Sequence, residues 1–72
     1  MFEVGDTFHF LQYPTREYKA HVVGIVDDDY VVYKWYGKYK QWWHYDVKHI
    51  EDILIMINRV RLERENNASK EI

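Results

Sequence analysis

The chain contains no cysteine, a single proline and only three glycines among 72 residues. Without cysteine there are no disulfides, no thiolate zinc ligands and no thiol nucleophile, and a small domain that dispenses with disulfides fits a reducing compartment. Gly5, Gly24 and Gly37 stand too far apart to form a phosphate-cradling loop. Besides tyrosine, the hydroxyl side chains are Thr7, Thr15 and Ser69. Nothing here has the pattern of an activated nucleophile, and a chain this small has little room for a cleft. The expectation is therefore a protein that is not an enzyme, with no catalytic residues and no cofactor. The longest apolar run, residues 53–57, is far shorter than a membrane span. The opening Met-Phe-Glu-Val-Gly-Asp has neither the basic nor the apolar region of a signal peptide, so the expected location is cytoplasmic.

Aromatic residues are abundant. They make up 18% of the chain, with three tryptophans and seven tyrosines, more than one small core obviously needs. A chain of this length buries only roughly 60% of the surface its unfolded form exposes, so a few large rings can supply much of its core. The net charge of −2 favours no class of partner. Its distribution is uneven: residues 34–49 carry Lys34, Lys38, Lys40 and Lys48 against Asp46, a local +3, which leaves −5 for the remainder. A local basic segment can mark a partner-facing surface or an ordinary solvated hairpin tip.

Strand patterns dominate the first two thirds. Val4-Gly5-Asp6 reads as a turn, and Phe8 and Phe10 alternate with Thr7 and His9 in a strand over residues 7–12. Pro14 sits in a loop. A second strand, residues 18–26, places Tyr18, Ala20 and Val22 on one side and Val23 and Ile25 on the other, with a bulge or bend expected at Gly24. Asp27-Asp28-Asp29 forms a turn, since short acids bond to nearby backbone. Residues 30–36 are a third strand and 39–45 a fourth, joined by a two-residue turn at Gly37-Lys38. That turn would set Tyr36 opposite Tyr39, Lys34 opposite Gln41 and Val32 opposite Trp43 on one side. On the other side it would set Trp35 opposite Lys40, Tyr33 opposite Trp42 and Val31 opposite His44. Both faces of the hairpin carry rings, and the sequence does not say which is exposed.

Beyond residue 46 the pattern is ambiguous. Val47, Ile50, Ile53, Leu54 and Ile57 recur at helical spacing with Asp46 as a fair N-cap, while residues 53–57 also read as a buried strand. The favoured reading is a helix over about 47–58, a short strand over 60–63, and a polar, frayed tail over 65–72. One domain over residues 1–64 follows, mainly β with one C-terminal helix: a small bent sheet or barrel of four to five antiparallel strands.

The layout of Val4-Gly5-Asp6 with Phe8 and Phe10, then Val22-Val23-Gly24-Ile25-Val26, then Asp27-Asp28-Asp29 and Tyr30-Val31-Val32, resembles that of SH3-like small barrels, including the KOW, Tudor and chromo-like groups. It also resembles short uncharacterised phage and bacterial proteins with this opening and a Trp-rich fourth strand. The resemblance covers about residues 2–45. It implies a non-catalytic binding module and a setting as a phage or bacterial accessory or inhibitor protein.

The residues nominated for partner binding are Lys34, Trp35, Tyr36, Lys38, Tyr39, Lys40 and Trp42. Tryptophan and tyrosine are the usual anchors of protein interfaces, so a protein partner is the leading expectation. The same residues suit single-stranded nucleic acid, where rings stacked on bases contribute roughly 1–3 kcal/mol each and lysines meet phosphates. Two or three clustered rings would also cage a methylated lysine. The plainest alternative divides the rings between the core and cross-strand pairs. Four histidines (His9, His21, His44 and His49) match no metal-site spacing, even with Asp46 between the last two, and no metal is expected. The apolar stripe over 47–58 suggests a homodimer, since small chains often gain stability by association.

Overall fold

The computed structural model describes residues 2–12, 16–37 and 41–70. Four strands, β1 (Thr7–Gln12), β2 (Arg16–Val26), β3 (Tyr30–Gly37) and β4 (Trp42–His49), precede one helix, α1 (Ile50–Lys70). The strands form a single antiparallel sheet in chain order, β1-β2-β3-β4. The sheet is open, with β1 and β4 as its edges. The fold is thus mainly β with one C-terminal helix, as expected, but the sheet does not close. No helix among the described residues is long and apolar enough to cross a membrane.

One face of the sheet holds the core. Phe8 and Phe10 of β1, Ala20 and Val22 of β2, and Val31 and Tyr33 of β3 are all buried there with Ile53 of α1. Their alternation along each strand is what a half-buried sheet requires. Tyr33 is the hub, meeting Phe8 and Phe10 edge-on at centroid distances of 5.3 and 6.0 Å. Edge-to-face rings match the negative face of one to the positive edge of the next and add to the effect of burial.

The N-terminal lead-in is pinned to β2. Gly5, at φ +98°, makes the turn that lets its N–H donate to Val22 O at 2.9 Å, and Val22 N–H donates to Asp6 O at 2.8 Å. The β2 register shifts between Val22 and Gly24, where the bulge was expected. Val23 is the extra residue. One added residue returns Ile25 to the core side, where it packs on the buried cluster, so Ile25 does not share a face with Val23 as strict alternation implies. The β2–β3 turn places both Asp27 and Asp28 at positive φ, and Asp29 N–H donates to Val26 O at 3.1 Å.

The β3–β4 hairpin is longer than a two-residue turn. Tyr36 pairs with Trp43, Lys34 with Tyr45 and Tyr33 with Asp46, four residues further along β4 than expected. Four is even, so every side chain keeps the face it was expected to occupy. Pro14, the Gly37-Lys38 turn, Tyr39 and Lys40 involve positions outside the described residues.

The C-terminal third departs from expectation in three ways. Residues 47–49 belong to β4, because the four-residue shift in register sets His49 opposite Tyr30 at the start of β3. The helix therefore begins at Ile50. Its start is held by Ile50 N–H donating to Asp29 O at 2.9 Å and by Glu51 N–H donating to His49 Nδ1 at 3.1 Å. His49, not Asp46, supplies the capping side chain. Finally, residues 60–63 are helical, not a closing strand. Ile53, Met56, Ile57 and Val60 continue one stripe at spacings of three and four, with Ile53 and Val60 buried. No glycine or proline follows Gly37 to interrupt it. The helix packs mainly against β1. Arg64 also reaches back to β2, donating to Glu17 Oε2 at 2.8 Å, an oxygen that His9 Nδ1 approaches to 2.7 Å.

Candidate interaction face

With the core and α1 on one side, the other face of the sheet is uncovered among the described residues. Antiparallel sheets tolerate this when the outward residues are polar. Here the fourth strand is patterned the opposite way. The register that sets Tyr33 against Asp46 turns His44, Asp46 and Lys48 toward the helix side and Trp43, Tyr45 and Val47 outward. Tyr45 is 63% exposed and Val47 51%. Beside them on β3 stand Tyr30, Val32, Lys34 and Tyr36, and on β2 stand His21 and Val26. Tyr30, Val26 and Tyr36 are exposed as well. The result is a contiguous apolar and aromatic patch across three strands, the sort of surface that marks an interaction site.

The patch has two halves. Toward the β2–β3 turn lies an open groove of about 700 Å³, lined by Val26, Asp27, Tyr30, Val32, Tyr45, Asp46 and Val47. Tyr30 is held on its rim edge-on to His49, 5.4 Å between centroids. Toward the β3–β4 connection side chains cluster around Trp43. Tyr36 meets this ring edge-on at 5.4 Å, His21 does so at 5.8 Å, and Lys34 Nζ sits 4.5 Å from its centroid. The ammonium over the indole is a cation–π contact, which fixes the ring and leaves a positive charge beside it.

The electrostatics differ between the halves. Asp27, Asp28 and Asp29 are exposed at the groove end. Lys34 and the exposed Lys19 stand on the half around Trp43. Asp46 Oδ1 accepts the Val47 N–H at 2.8 Å, and its Oδ2 lies 3.5 Å from the Tyr33 hydroxyl and 3.9 Å from Lys48 Nζ. Burial, reinforced by the Asp46 charge and hydrogen bond, pushes the Tyr33 hydroxyl up to about 12.

The nominated residues do not all come together. Lys34 and Tyr36 lie on the uncovered face. Trp35 points to the other side, packed edge-on to Phe10 at 5.2 Å and stacked with His44 at 5.3 Å. Trp42 is 71% exposed near the hairpin end, paired with Gly37 on the helix side of the sheet. Lys38, Tyr39 and Lys40 lie outside the described residues. Tyr30, Trp43, Tyr45 and Val47 complete the patch without having been nominated. Their alternation with Tyr36 and Lys34 was readable, but choosing that face required knowing where the helix packs.

Among the described residues no group of three or more His, Asp or Glu side chains is placed to hold a metal ion. His44 is stacked on Trp35, and His49 caps the helix. Comparison of the chain with protein-family models, curated proteins and solved structures finds no match.

Proposed function

We propose that the protein is a non-catalytic binding module that docks a protein partner on the uncovered face of its sheet. The observation that carries this reading is the inverted patterning of β4, which spends Trp43, Tyr45 and Val47 on the side facing solvent. Exposing such rings in water is unfavourable by the area term that drives folding, and covering them would recover it. An SH3-like relationship and an accessory or inhibitory role in a phage or bacterial setting belong to the same proposal and rest on the sequence layout. Cytoplasmic placement rests on the lack of cysteine.

A nucleic-acid reading of the same face draws support from Lys19 and Lys34 beside Trp43. It is the weaker one, because Asp27 lines the groove with Asp28 and Asp29 beside it in the turn, and these carboxylates would repel phosphates. The discriminating experiment puts a photo-cross-linking residue at Tyr45 in expressing cells and compares the wild-type background with Val47→Ser. A defined protein adduct that the variant loses supports the reading. Absence of any protein adduct overturns it. Tryptophan emission that shifts with single-stranded DNA or RNA and reverts with salt would replace it with the nucleic-acid reading.

A further inference from the structure

We infer that two copies of the chain join edge to edge through β4, continuing the sheet across a two-fold axis that stands perpendicular to it between the two Tyr45 residues. The inference goes beyond the docking reading and leaves the uncovered face of each sheet to its partner.

Main-chain hydrogen bonds fix which groups β4 offers. Val22 bonds to Gly5 and Asp6 on the β1 side. Antiparallel strands alternate the direction of their main-chain groups residue by residue. His21 therefore bonds to Lys34, Tyr33 and Trp35 bond to Asp46 and His44, and Trp43, Tyr45 and Val47 turn their N–H and C=O away from the sheet. Val47 N–H accordingly meets Asp46 Oδ1 at 2.8 Å instead of β3. Edge strands that stay single are short, bulged or broken by proline. β4 runs for 8 residues with no proline, glycine or register shift, and its Trp42, Tyr45 and Val47 are exposed. The helix packs mainly against β1, at the opposite edge of the sheet.

The occupant follows from the order of residues, because β4 is complementary to its own reverse. With Tyr45 opposite Tyr45 of the second copy, Trp43 faces Val47 on the uncovered side. On the helix side Asp46 faces His44 and Lys48 faces Trp42. These are an apolar contact, a carboxylate–imidazole pair and a cation–π contact, each of a kind that stabilises neighbouring strands. Every outward N–H and C=O of Trp43, Tyr45 and Val47 then finds a main-chain partner, and Asp46 releases Val47 N–H as it turns to His44. Other registers fit less well. Centring on Asp46 opposes two carboxylates, and centring on His44 opposes two imidazoles. Centring on Val47 calls on the main chain of His49, whose C=O opens α1. Pairing of this kind uses the same edge twice and closes. It also sets both helices on one side and both uncovered faces on the other.

The test uses the full chain, whose lack of cysteine makes an introduced thiol a specific reporter. Sedimentation equilibrium over a broad concentration range should give a dimer of the 8.9 kDa protomer. Tyr45→Pro removes the central N–H of the free edge without removing a bond to β3, a position at which edge strands accept proline. It should weaken the dimer at least about tenfold. If that variant is unfolded by circular dichroism, thiol linkage decides instead. Tyr45→Cys should give a disulfide-linked dimer on mild oxidation, since paired Cα atoms stand about 5.5 Å apart. Val47→Cys, roughly 14 Å from its own copy in this register, should not. A wild-type monomer overturns the inference, as does a dimer that Tyr45→Pro leaves unchanged or a Tyr45→Cys link no faster than that of Val47→Cys. The photo-cross-link at Tyr45 keeps the two readings apart: an adduct of two protomers reports this edge, and only an adduct of another mass counts for a docked partner. A monomer with such an adduct overturns the edge pairing alone, and a dimer without one overturns the docking reading alone.

Discussion

The imidazole of His44 lies against the indole of Trp35, 5.3 Å between centroids and 22° between planes. It occupies space left by the missing side chain of Gly37, where a Cβ would stand 2.6 Å from His44 Nε2 and 2.9 Å from its Cδ2. Trp35 in turn meets Phe10 edge-on, so the hairpin end is linked to the core through this stack.

Gly37→Ala should therefore be destabilising although it adds only a methyl group. Displacing the ring should cost about 1–3 kcal/mol, the usual range for overpacking. Urea denaturation of the single variants and of Gly37→Ala/His44→Ala checks the cause. With His44 already removed, the alanine at 37 should cost much less. Additive costs would mean that the strain lies in the backbone and not in the ring.

The β2–β3 turn offers a change of opposite sign. Asp27 and Asp28 sit at φ 52° and 59°, in the left-handed region that costs L-residues about 1–2 kcal/mol and that aspartate only partly tolerates. Asp28→Gly should raise stability by roughly 0.5–1 kcal/mol, and Asp28→Val should lower it by more than that. Thermal unfolding of the three proteins should rank them glycine, aspartate, valine; a valine variant as stable as wild type would contradict the turn geometry.

Much of the fold was legible because most of its signals are local. Phe8 and Phe10, and Tyr18, Ala20 and Val22, show their face by alternation, and Gly24 marks the bulge. The consequence of the bulge was harder to read, since one inserted residue moves Ile25 to the opposite face. The hairpin face assignment survived a loop-length error only because that error was even. What failed depended on distant partners. Residues 47–49 suit the first turn of a helix by spacing, yet the longer β3–β4 connection shifts the register and pairs them with Tyr30, Val31 and Val32 as strand. Trp35 and Tyr36 are equivalent on paper, and only the docking of α1 on one face of the sheet, mainly over β1, makes one structural and the other exposed. The length of α1 did have a readable signal, the lack of glycine or proline after Gly37, which the strand-like alternation of Val60, Arg61, Leu62 and Glu63 obscured.

The helix orientation predicts a sharp contrast between neighbours. Ile53 has no exposed surface, while Ile55, two residues along, is 66% exposed. Ile53→Ala should cost about 2–5 kcal/mol, enough to unfold a domain this small, and Ile55→Ala no more than about 0.5 kcal/mol. Urea midpoints for the two variants check this. Similar losses would mean either that the helix is rotated or that the Ile55 side is covered in solution.

Alkaline pH should expose the role of Tyr33. Its hydroxyl has an ordinary value of 10.0 and rises to about 12 in the fold, chiefly because burial penalises the anion and secondarily because Asp46 repels it. The folded state thus holds a proton that the unfolded chain releases more readily. By linkage, stability is fully present below pH 10 and falls as pH climbs toward 12, because the unfolded state then binds fewer protons. Two units correspond to a loss of about 3 kcal/mol. Tyr33→Phe cannot ionise, so its stability should decline less over the same window. Near neutral pH the variant should differ little, by roughly 1 kcal/mol at most, since the bond to Asp46 is long at 3.5 Å. Urea unfolding of both proteins below pH 10 and again near pH 12 measures the difference directly. Parallel losses would show that the alkaline sensitivity comes from elsewhere and that Tyr33 is not the group held protonated in the core.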